Sequence, residues 1–513
     1  MTLDGDSAMA TTTAEHSLWL RETFSGHGKL YGHHQADVTV IGAGIAGLTT
    51  ALLLRRHGFD VAVVEAARVG TGVSGNNTAK VTALQATMYS TLERTHGARR
   101  ARDYAAAAIE GVELLATLAE PIECDLHRAP AATFAYTDGE RATVRAEAEA
   151  AGRAGLPVEW TEELDLPFPT YGAVRLPEQL VLHPARYVRG LAAAFVAEGG
   201  RIFEHSRALG LDHTAPHRVH TAEGTITAKH VVVTTHYPVF DRGLHFARLD
   251  AERSYCVAAR MRSGAPPREL AISAGTPSWS LSHYRDHVIV GGQSHPSGEH
   301  GIDAGRYTAL IDFARRHFDI EQITHRWSAQ DPKAYDALPM IGSYLPGSSR
   351  LWVATGFAKW GLAMGTVAGR ILADRITGAD HPQAALFSPH RLSVRSTPTL
   401  LQQNLHVAKD LIGDRLTPPD QAGDTGDVPV GTARVLPDGL GKKGVYRDSA
   451  GTVHAVSLRC THLGCLLRFN GAERSWDCSC HGSRFDVDGA VLEGPATRPL
   501  PQRDPGTAAG SGS

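Results

Sequence analysis

Residues 38–65 of the 513-residue chain read V-T-V-I-G-A-G-I-A-G-L-T-T-A-L-L-L-R-R-H-G-F-D-V-A-V-V-E, and this stretch decides the fold. An apolar run of strand type leads into G-x-G-x-x-G at Gly42, Gly44 and Gly47, after which the apolar spacing becomes helical. A second apolar strand then ends in Glu65, near the ~20-residue offset at which an acidic side chain binds ribose hydroxyls. The stretch therefore predicts a strand–turn–helix–strand unit with a dinucleotide site at the N-terminus of its helix.

Length and composition exclude several classes of protein. A chain of 513 residues is too long for one core and predicts roughly three domains. The formal net charge is −3, with both signs interspersed, which argues against nucleic acid or an anionic membrane as the main partner. No apolar run reaches the ~18 residues that a membrane-spanning helix needs. The N-terminus lacks the basic and apolar regions of a secretory signal, so we expect a loose leader and a cytoplasmic protein.

The middle of the chain predicts two sheets. Three segments are expected to join the first sheet as strands: residues 201–205, 218–221 and 231–235, the last of which is an apolar run typical of a buried strand. A strand–Gly–helix pattern at residues 351–376 supplies the last piece of that sheet. Three alternating segments predict an antiparallel sheet: residues 255–261, 279–284 and 287–291. The predicted fold class is α/β plus β, with a Rossmann-like nucleotide domain, an interleaved antiparallel substrate domain and a small all-β domain.

Cysteine and histidine residues of the C-terminal segment form two short boxes. C-T-H-L-G-C runs from Cys460 to Cys465, and C-S-C-H-G-S runs from Cys478 to Ser483. The first box contains C-x-H and the second contains C-x-x-H, with fifteen residues between them. Together they offer two thiolates and two imidazoles, which are the ligands of a Rieske [2Fe–2S] centre. A structural zinc site is the alternative, but zinc ligands usually come as C-x-x-C and H-x-x-x-H pairs. The mixed boxes favour the iron–sulfur cluster.

The C-terminal boxes resemble those of Rieske proteins, and the resemblance covers about the last eighty residues, including Gly494-Pro495-Ala496. It assigns one sulfur and one nitrogen ligand to each loop: Cys460 and His462 in the first, Cys478 and His481 in the second. Cys465 and Cys480 are left over, one in each loop. We expect these two cysteines to form a disulfide across the cluster.

Two further positions bear on the reduction potential of the cluster. Ser483 stands where the disulfide-containing branch of Rieske proteins donates a hydrogen bond to a bridging sulfide, which raises the potential. Phe485 stands where that branch usually has tyrosine, so one hydroxyl-to-sulfur bond is lost. We therefore expect an intermediate potential, well above the ≈ −400 mV of plant-type ferredoxins.

Residues 37–387 resemble the FAD-dependent oxidoreductases of the D-amino-acid oxidase and glycine oxidase superfamily. The glycine fingerprint, His183-Pro184, the run at 231–236 and G-F-A-K-W-G at 356–361 carry this resemblance. A bacterial subgroup with a C-terminal Rieske domain is similar over nearly the whole chain. The family implies FAD, bound at these positions: Gly42, Gly44, Ile45, Ala46, Gly47, Glu65, Ser74, Asn77, Thr78, Lys80, Thr235, Gly356, Lys359, Trp360 and Gly361. Lys80, Lys359 and Trp360 are the candidates near the flavin, and no catalytic base is assigned.

The same resemblance implies a reaction. A small amine or amino acid would lose hydride from its α-carbon to flavin N5, and water would hydrolyse the resulting imine. A Rieske centre accepts one electron at a time, so it would pass single electrons to an external carrier, and a dehydrogenase is favoured over an oxidase. Three arginines are candidates for binding a substrate carboxylate, although each has a surface or packing role as its alternative: Arg175, Arg253 and Arg285.

Other functions remain open at this stage. An oxygen-using enzyme would need a reactive iron, but the sequence offers no convincing 2-His-1-carboxylate site. An NAD(P)H-linked reductase and a non-enzymatic redox sensor or electron-transfer module are the further alternatives. The expected domains are a leader (1–36), the oxidoreductase (37–387), a linker (388–431), the Rieske domain (432–505) and a flexible tail (506–513). The linker is expected to contain one helix, with one face formed by Leu401, Leu405, Ala408 and Ile412.

Overall fold

A computed structural model describes residues 13–212, 214–240, 242–391, 393–402, 404–405, 427–439 and 441–504. The helices are α1 (Ile45–Arg56), α2 (Met88–His96), α3 (Ala98–Ala119), α4 (Arg141–Arg153), α5 (Pro184–Ala197), α6 (Gly305–His317), α7 (Gly361–Thr377) and α8 (Ala384–Phe387). The first strands are β1 (Gly32–Ile41), β2 (Val61–Val64), β3 (Lys80–Val81), β4 (His127–Phe134), β5 (Glu159–Thr161), β6 (Ala173–Val181), β7 (Arg201–Phe203), β8 (Gly210–Leu211), β9 (His217–His220) and β10 (Gly224–Val233). The strands of the second half are β11 (Leu249–Met261), β12 (Leu270–Ser273), β13 (Trp279–Tyr284), β14 (His287–Pro296), β15 (Ile320–Ala334), β16 (Met340–Ser343), β17 (Leu351–Thr355), β18 (Ala433–Asp438), β19 (Gly441–Arg447), β20 (Val453–Ser457), β21 (Leu467–Asn470), β22 (Ser475–Cys478), β23 (Arg484–Phe485) and β24 (Val491–Glu493).

The first sheet carries the dinucleotide fingerprint at its centre. Its strand order is β16-β17-β10-β1-β2-β7, with β8 and β9 attached beside β10. Strand β1 pairs in parallel with β10 and with β2, so the turn after β1 opens at the carboxyl edge of the sheet. One face packs on α1, α3, α5 and α7, and the other face forms a smaller core with Phe240 and Tyr344. The predicted α/β fold with returning strands is confirmed.

The second sheet has nine strands and is mostly antiparallel. Its order is β15-β11-β14-β13-β12-β4-β6-β3, with β5 beside β6. The three segments predicted to alternate form β11, β13 and β14, which are antiparallel neighbours as expected. The sequence analysis missed β15, an edge strand paired with β11 along most of its length. Helix α6 covers one face of this sheet, and Leu18, Trp19 and Trp327 pack on the other.

The N-terminal segment differs from the predicted loose leader. Trp19 is fully buried and donates its indole N–H to the Asn77 carbonyl over 2.7 Å, and the Ala14 amide donates to the Thr324 carbonyl. Strand β1 also begins at Gly32, five residues before the expected domain boundary, because backbone pairing with β10 holds these polar residues in place. The expected leader therefore belongs in part to the folded domain. The apolar triplet Leu18-Trp19-Leu20 is the signal that should have indicated this.

The C-terminal domain consists of two small antiparallel sheets. Their orders are β18-β19-β20 and β21-β22-β23-β24, and Trp476 and Phe485 are buried in the core between them. Residues 397–402 and 404–405 are helical, which agrees with a helix in the linker, and Leu401 and Leu405 are exposed. Ala408 and Ile412 lie outside the described residues. Among the described helices, none is both long enough and apolar enough to cross a membrane.

Candidate functional site

The glycine turn after β1 has the geometry that its sequence predicts. Gly42 has a φ of +106°, and a Cβ there would lie 2.6 Å from the Thr234 carbonyl oxygen. A Cβ on Gly47 would lie 2.0 Å from the Gly42 carbonyl oxygen, so only glycine allows α1 to pack this closely on the strands. Gly44 is the N-cap of α1, and a Cβ there would lie 3.0 Å from Ser74 Oγ. The N-terminal backbone of α1 is thus open to a bound group.

A cavity of about 500 Å³ starts at this turn and extends along the carboxyl edge of the first sheet. Ten of the positions assigned to FAD line it: Gly42, Gly44, Ile45, Ala46, Glu65, Ser74, Asn77, Thr235, Lys359 and Gly361. Gly361 is also the first residue of α7, so the positive ends of two helices face this space. An elongated cavity with two helix N-termini suits a cofactor that carries a diphosphate. The described residues therefore fit FAD.

Five assigned positions lie behind the wall of this cavity rather than in it: Gly47, Thr78, Lys80, Gly356 and Trp360. Gly47 acts through the helix–strand packing described above. Trp360 is only 9% exposed and packs in the largest hydrophobic core as the N-cap of α7. A direct flavin contact for these five remains a prediction.

Glu65 is held rigidly at the end of β2. Its Oε2 accepts a hydrogen bond from the Ala43 amide over 2.8 Å, and its Oε1 accepts one from the Ala67 amide over 2.9 Å. Burial raises the pKa of this carboxyl, although these amides and the nearby Arg207 oppose the rise. Both oxygens keep lone pairs for hydroxyl donors, so Glu65 could hold a ribose.

The loop from Ser74 to Lys80 is fixed by its own hydrogen bonds. Ser74 Oγ accepts from the Ile45 amide over 3.2 Å, which ties the loop to the first turn of α1. Asn77 donates to the Ser74 carbonyl and accepts from the Ala79 amide, both over 2.8 Å. The family resemblance assigned this loop to FAD, and the structure places Ser74 and Asn77 in the cavity wall.

Two lysines lie where the cavity meets the second sheet. Lys359 has a left-handed φ of +76°, and its Nζ donates to Glu252 over 2.5 Å and to Ser294 over 2.7 Å. Lys80 is buried and donates to the Ala271 carbonyl and the Ser280 hydroxyl. Burial, with a smaller contribution from the positive charge of Lys359, lowers the pKa of Lys80 to about 7. Lys80 is therefore poised to change charge near neutral pH.

The three candidate arginines have other partners. Arg175 pairs with Glu269 over 3.0 Å, and Arg285 pairs with Asp125 on the surface over 3.2 Å. Arg253 is fully buried, but it pairs with Glu493 of the C-terminal domain over 2.9 Å. These ion pairs favour the packing and surface alternative for all three.

Sequence reasoning missed part of the cavity wall. The unanticipated lining residues include two from the first domain and five from the C-terminal domain: His236, Asp331, Glu473, Arg484, Leu492, Glu493 and Gly494. Burial raises the pKa of Asp331, which accepts a hydrogen bond from the Lys359 amide. No spacing or motif in the chain connects positions 473–494 to the glycine turn. Only the run at 231–236, noted for its resemblance, indicated His236.

The second site brings together the two boxes of the C-terminal domain. Cys460 and Cys478 are buried free cysteines, whereas Cys465 and Cys480 are joined in a disulfide. The sulfurs of Cys465, Cys478 and Cys480 lie within 4.8 Å of one another, so the disulfide lies directly beside a predicted cluster ligand. A sulfur in a disulfide does not ligate a metal, which leaves Cys460 and Cys478 as the thiolates.

The contact between the two thiols favours a thiolate on Cys460. The hydrogen bond from Cys478, and then the amides of His462 and Leu463, lower the pKa of Cys460 to about 7, although burial opposes the change. The same contact raises the pKa of Cys478, because two adjacent sulfurs share one proton. Iron would remove that proton, since coordination deprotonates a thiol.

The two histidines of the boxes face each other. The rings of His462 and His481 are 5.1 Å apart, and Phe246 of the first domain contacts both, at 5.5 Å and 4.7 Å. Burial and the neighbouring His462 lower the pKa of His481 to about 3, so its ring is neutral, the form that binds metal. Its Nδ1 is buried without a hydrogen-bond partner among the described residues. The donor set therefore fits a two-cysteine, two-histidine cluster.

Comparisons with known proteins agree with this geometry. A family model described as FAD dependent oxidoreductase matches residues 37–375. The chain belongs to this FAD-dependent oxidoreductase family. A second model, the Rieske [2Fe-2S] domain, matches residues 424–504. The protein is thus an enzyme with FAD and a Rieske-type [2Fe–2S] cluster as its cofactors, as the sequence analysis predicted.

Three similar proteins show how far the architecture extends. "Putative Rieske 2Fe-2S iron-sulfur protein YhfW" of Bacillus subtilis is 32% identical over 479 residues, which cover 92% of this oxidoreductase and 94% of the relative. Gamma-glutamylputrescine oxidoreductase of Escherichia coli is 31% identical over 377 residues, 69% of this chain and 87% of its own. The crystal structure of glycine oxidase from Geobacillus kaustophilus covers 70% of this chain and 99% of its own, with a TM-score of 0.60 at 21% identity. That last similarity concerns the fold.

Proposed function

We propose that this oxidoreductase oxidises a C–N bond of a small amine or amino acid and passes the electrons singly through the Rieske cluster to an external acceptor. One observation carries the proposal: the cavity that begins at the glycine turn ends against residues of the Rieske domain. Arg484 lies in its wall and donates to Asp477, the residue before the predicted cluster ligand Cys478. The two cofactors would therefore share one continuous region of the molecule.

The reaction would take place between the flavin and the second sheet. FAD, when bound, supplies the two-electron acceptor for hydride leaving carbon. The chain's own contribution is a polar group formed by Glu252, Ser254 and Ser294 on the sheet and by Lys359 from the turn before α7. The hydroxyl oxygens of Ser254 and Ser294 lie 3.0 Å apart. Burial would raise the pKa of Glu252, but Lys359 holds it below its usual range, so Glu252 is an anion. Glu252 reaches the cavity through its ion-pair partner Lys359, which lines the cavity, and a substrate that carries an amine would compete with that ammonium group for the carboxylate.

The relatives support an amine as substrate. One of them is named for γ-glutamylputrescine and another for glycine, and both compounds contain an amino group. The ion pairs of Arg175, Arg253 and Arg285 favour packing and surface roles for these three over binding of a carboxylate. We therefore favour an amine-containing compound whose recognition depends on the nitrogen.

Anaerobic mixing with a panel of amines and amino acids tests the proposal. We expect bleaching of the flavin absorbance followed by the EPR signal of the reduced cluster, and reoxidation of both by ferricyanide in one-electron steps. Glu252→Gln should raise KM for the amine, while photoreduction of the flavin is unchanged. If NAD(P)H bleaches the flavin and none of the amines does, the protein is a reductase and the proposal is wrong.

A further inference from the structure

We propose that the Rieske domain is a structural part of the FAD site, and that tight binding of FAD requires this domain to be docked. The inference concerns cofactor binding and is independent of the substrate. It assigns a role in holding FAD to β24 and its neighbours, a segment that lies outside the residues matched to the FAD-dependent oxidoreductase family.

Residues of the Rieske domain close one side of the cavity. Glu473, Arg484, Leu492, Glu493 and Gly494 line the same space as the glycine turn and the N-terminus of α1. The approach is close, because a Cβ on Gly494 would lie 3.3 Å from Val239 Cγ1, and Val239 also lines the cavity. Without this domain, the cavity would be open to solvent along that side.

The two domains also meet beside Glu65, the residue assigned to the adenosine ribose. Arg207 lies in the cavity wall and donates from Nη2 to the Val491 carbonyl over 3.1 Å. The same guanidinium is close enough to Glu65 to oppose the rise in its pKa. Arg207 therefore links strand β24 to this part of the cavity wall.

Buried polar contacts hold the Rieske domain against the second sheet. Arg253, fully buried on β11, donates to Glu493 Oε1 over 2.9 Å, and Arg484 donates to the same oxygen over 2.8 Å. Glu473 accepts hydrogen bonds from the Tyr307 and Ser328 hydroxyls, each over 2.6 Å. Arg253 and Tyr307 lie outside the cavity wall, so they position the domain without contact with a cofactor.

Two polar atoms in the wall point to a ligand. Glu493 Oε2 and His236 Nε2 are buried and have no hydrogen-bond partner among the described residues. Buried groups of this kind are rarely left unsatisfied in a folded protein. Both residues line the cavity, one from each domain, and the polyol and phosphate parts of FAD offer the donors and acceptors that such groups need.

The test uses full-length holoenzyme and two matched pairs of variants. Tyr307→Phe and Arg253→Met each remove a docking contact. The control for Tyr307→Phe is Tyr104→Phe, which removes a buried hydroxyl bond to the neutral amide oxygen of Gln85. The control for Arg253→Met is Arg391→Met, which removes a buried ion pair to Asp336. Both controls are far in sequence from the Rieske domain. After dilution, the release of FAD is followed by the rise in free-flavin fluorescence, and the EPR signal of the cluster confirms an intact Rieske domain.

We expect the two docking variants to release FAD about tenfold faster than the parent, since each loses a hydrogen bond to a charged group. The controls should stay within about twofold of the parent rate. Parent-like release from both docking variants, or equal acceleration in the controls, would overturn the proposal. If Arg253→Met does not retain its cluster, the FAD release rates of Tyr307→Phe and Tyr104→Phe are compared instead. Faster release from Tyr307→Phe alone supports the proposal, and equal rates overturn it.

Discussion

The two redox sites of this enzyme are built in opposite ways. The predicted cluster ligands fall within residues 460–481, on two loops joined by a disulfide. The FAD cavity takes its wall from residues 41 to 494, on both sheets and both domains. A site made of two adjacent loops can be recognised from spacing, whereas a site assembled from distant segments depends on how the whole chain packs. This difference predicts that the Rieske cluster is lost mainly through substitutions within its own two loops. Binding of FAD should also be weakened by substitutions far from the cavity.

The most severe test of the local site is Cys478→Ser. We expect complete loss of the cluster EPR signal, because a thiolate ligand is removed from a four-ligand set. Substrate should still bleach the flavin, but transfer of single electrons to ferricyanide should fall with the cluster. Cys124→Ser, at another buried free cysteine, is the control. A normal cluster signal in Cys478→Ser would contradict the ligand assignment.

Gly47→Ala is the corresponding test of the FAD site. A Cβ at this position meets the Gly42 carbonyl oxygen at 2.0 Å, so α1 must move away from the strands. Overpacking of this kind should weaken FAD binding roughly 10- to 100-fold. The measurement is the dissociation constant of FAD from the reconstituted apoprotein. Gly152→Ala on α4, where a Cβ meets open space, should bind FAD normally.

The disulfide should stabilise the Rieske domain directly and the FAD site through that domain. The bond closes a loop with a sequence separation of 15, which corresponds to about 3 kcal/mol of stability for the domain that contains it. In Cys465→Ala/Cys480→Ala, we expect the visible CD of the cluster to be lost at a lower temperature. Since the Rieske domain closes one side of the FAD cavity, we expect FAD to be released at that same lower temperature. Unchanged thermal loss of the cluster would show that the bond contributes little.

Lys80 gives the FAD-containing domain a pH-dependent stability. Burial lowers the pKa of Lys80 to about 7, below the ≈ 10.4 of an unfolded chain. Between these values the unfolded state binds more protons, so this residue makes the protein more stable as the pH rises from about 7 to 10. Lys80→Met should remove this increase in the free energy of unfolding with pH. Denaturant unfolding of both proteins at a series of pH values measures the difference, and parallel profiles would exclude the effect.

Phe485→Tyr should have the smallest effect. Phe485 is fully buried in the Rieske core, at the position where a tyrosine hydroxyl is expected to reach a cysteine sulfur. An added hydrogen bond to the cluster should raise the reduction potential by roughly 50 mV, the equivalent of about 1 kcal/mol for one electron. Redox titration monitored by EPR checks this. A potential that is unchanged or lower would contradict the expected geometry at residue 485.

The sequence predicted what depends on neighbouring residues. The strand–glycine–helix unit follows from apolar spacing and from steric demands on Gly42 and Gly47, both of which the structure shows. The pairing of β11, β13 and β14 follows from alternation. Edge strand β15 was missed because its polar and proline residues break that alternation. The N-terminal leader was predicted to be loose because the apolar residues Leu18, Trp19 and Leu20 stand among many polar neighbours, although Leu18 and Trp19 are buried.

The tertiary structure decided which distant residues share a site. Arg253 and Glu493 are 240 positions apart, and neither carries a local pattern that reveals the other. Their contact arises because the Rieske domain docks on the second sheet, which turns a candidate substrate-binding arginine into a link between domains. Side-chain spacing along the chain thus indicated a dinucleotide site and an iron–sulfur cluster, and the family resemblance identified the dinucleotide as FAD. The wall that the two domains share required the packed molecule, because contacts across an interface depend on the complementary shape and charge of two complete surfaces.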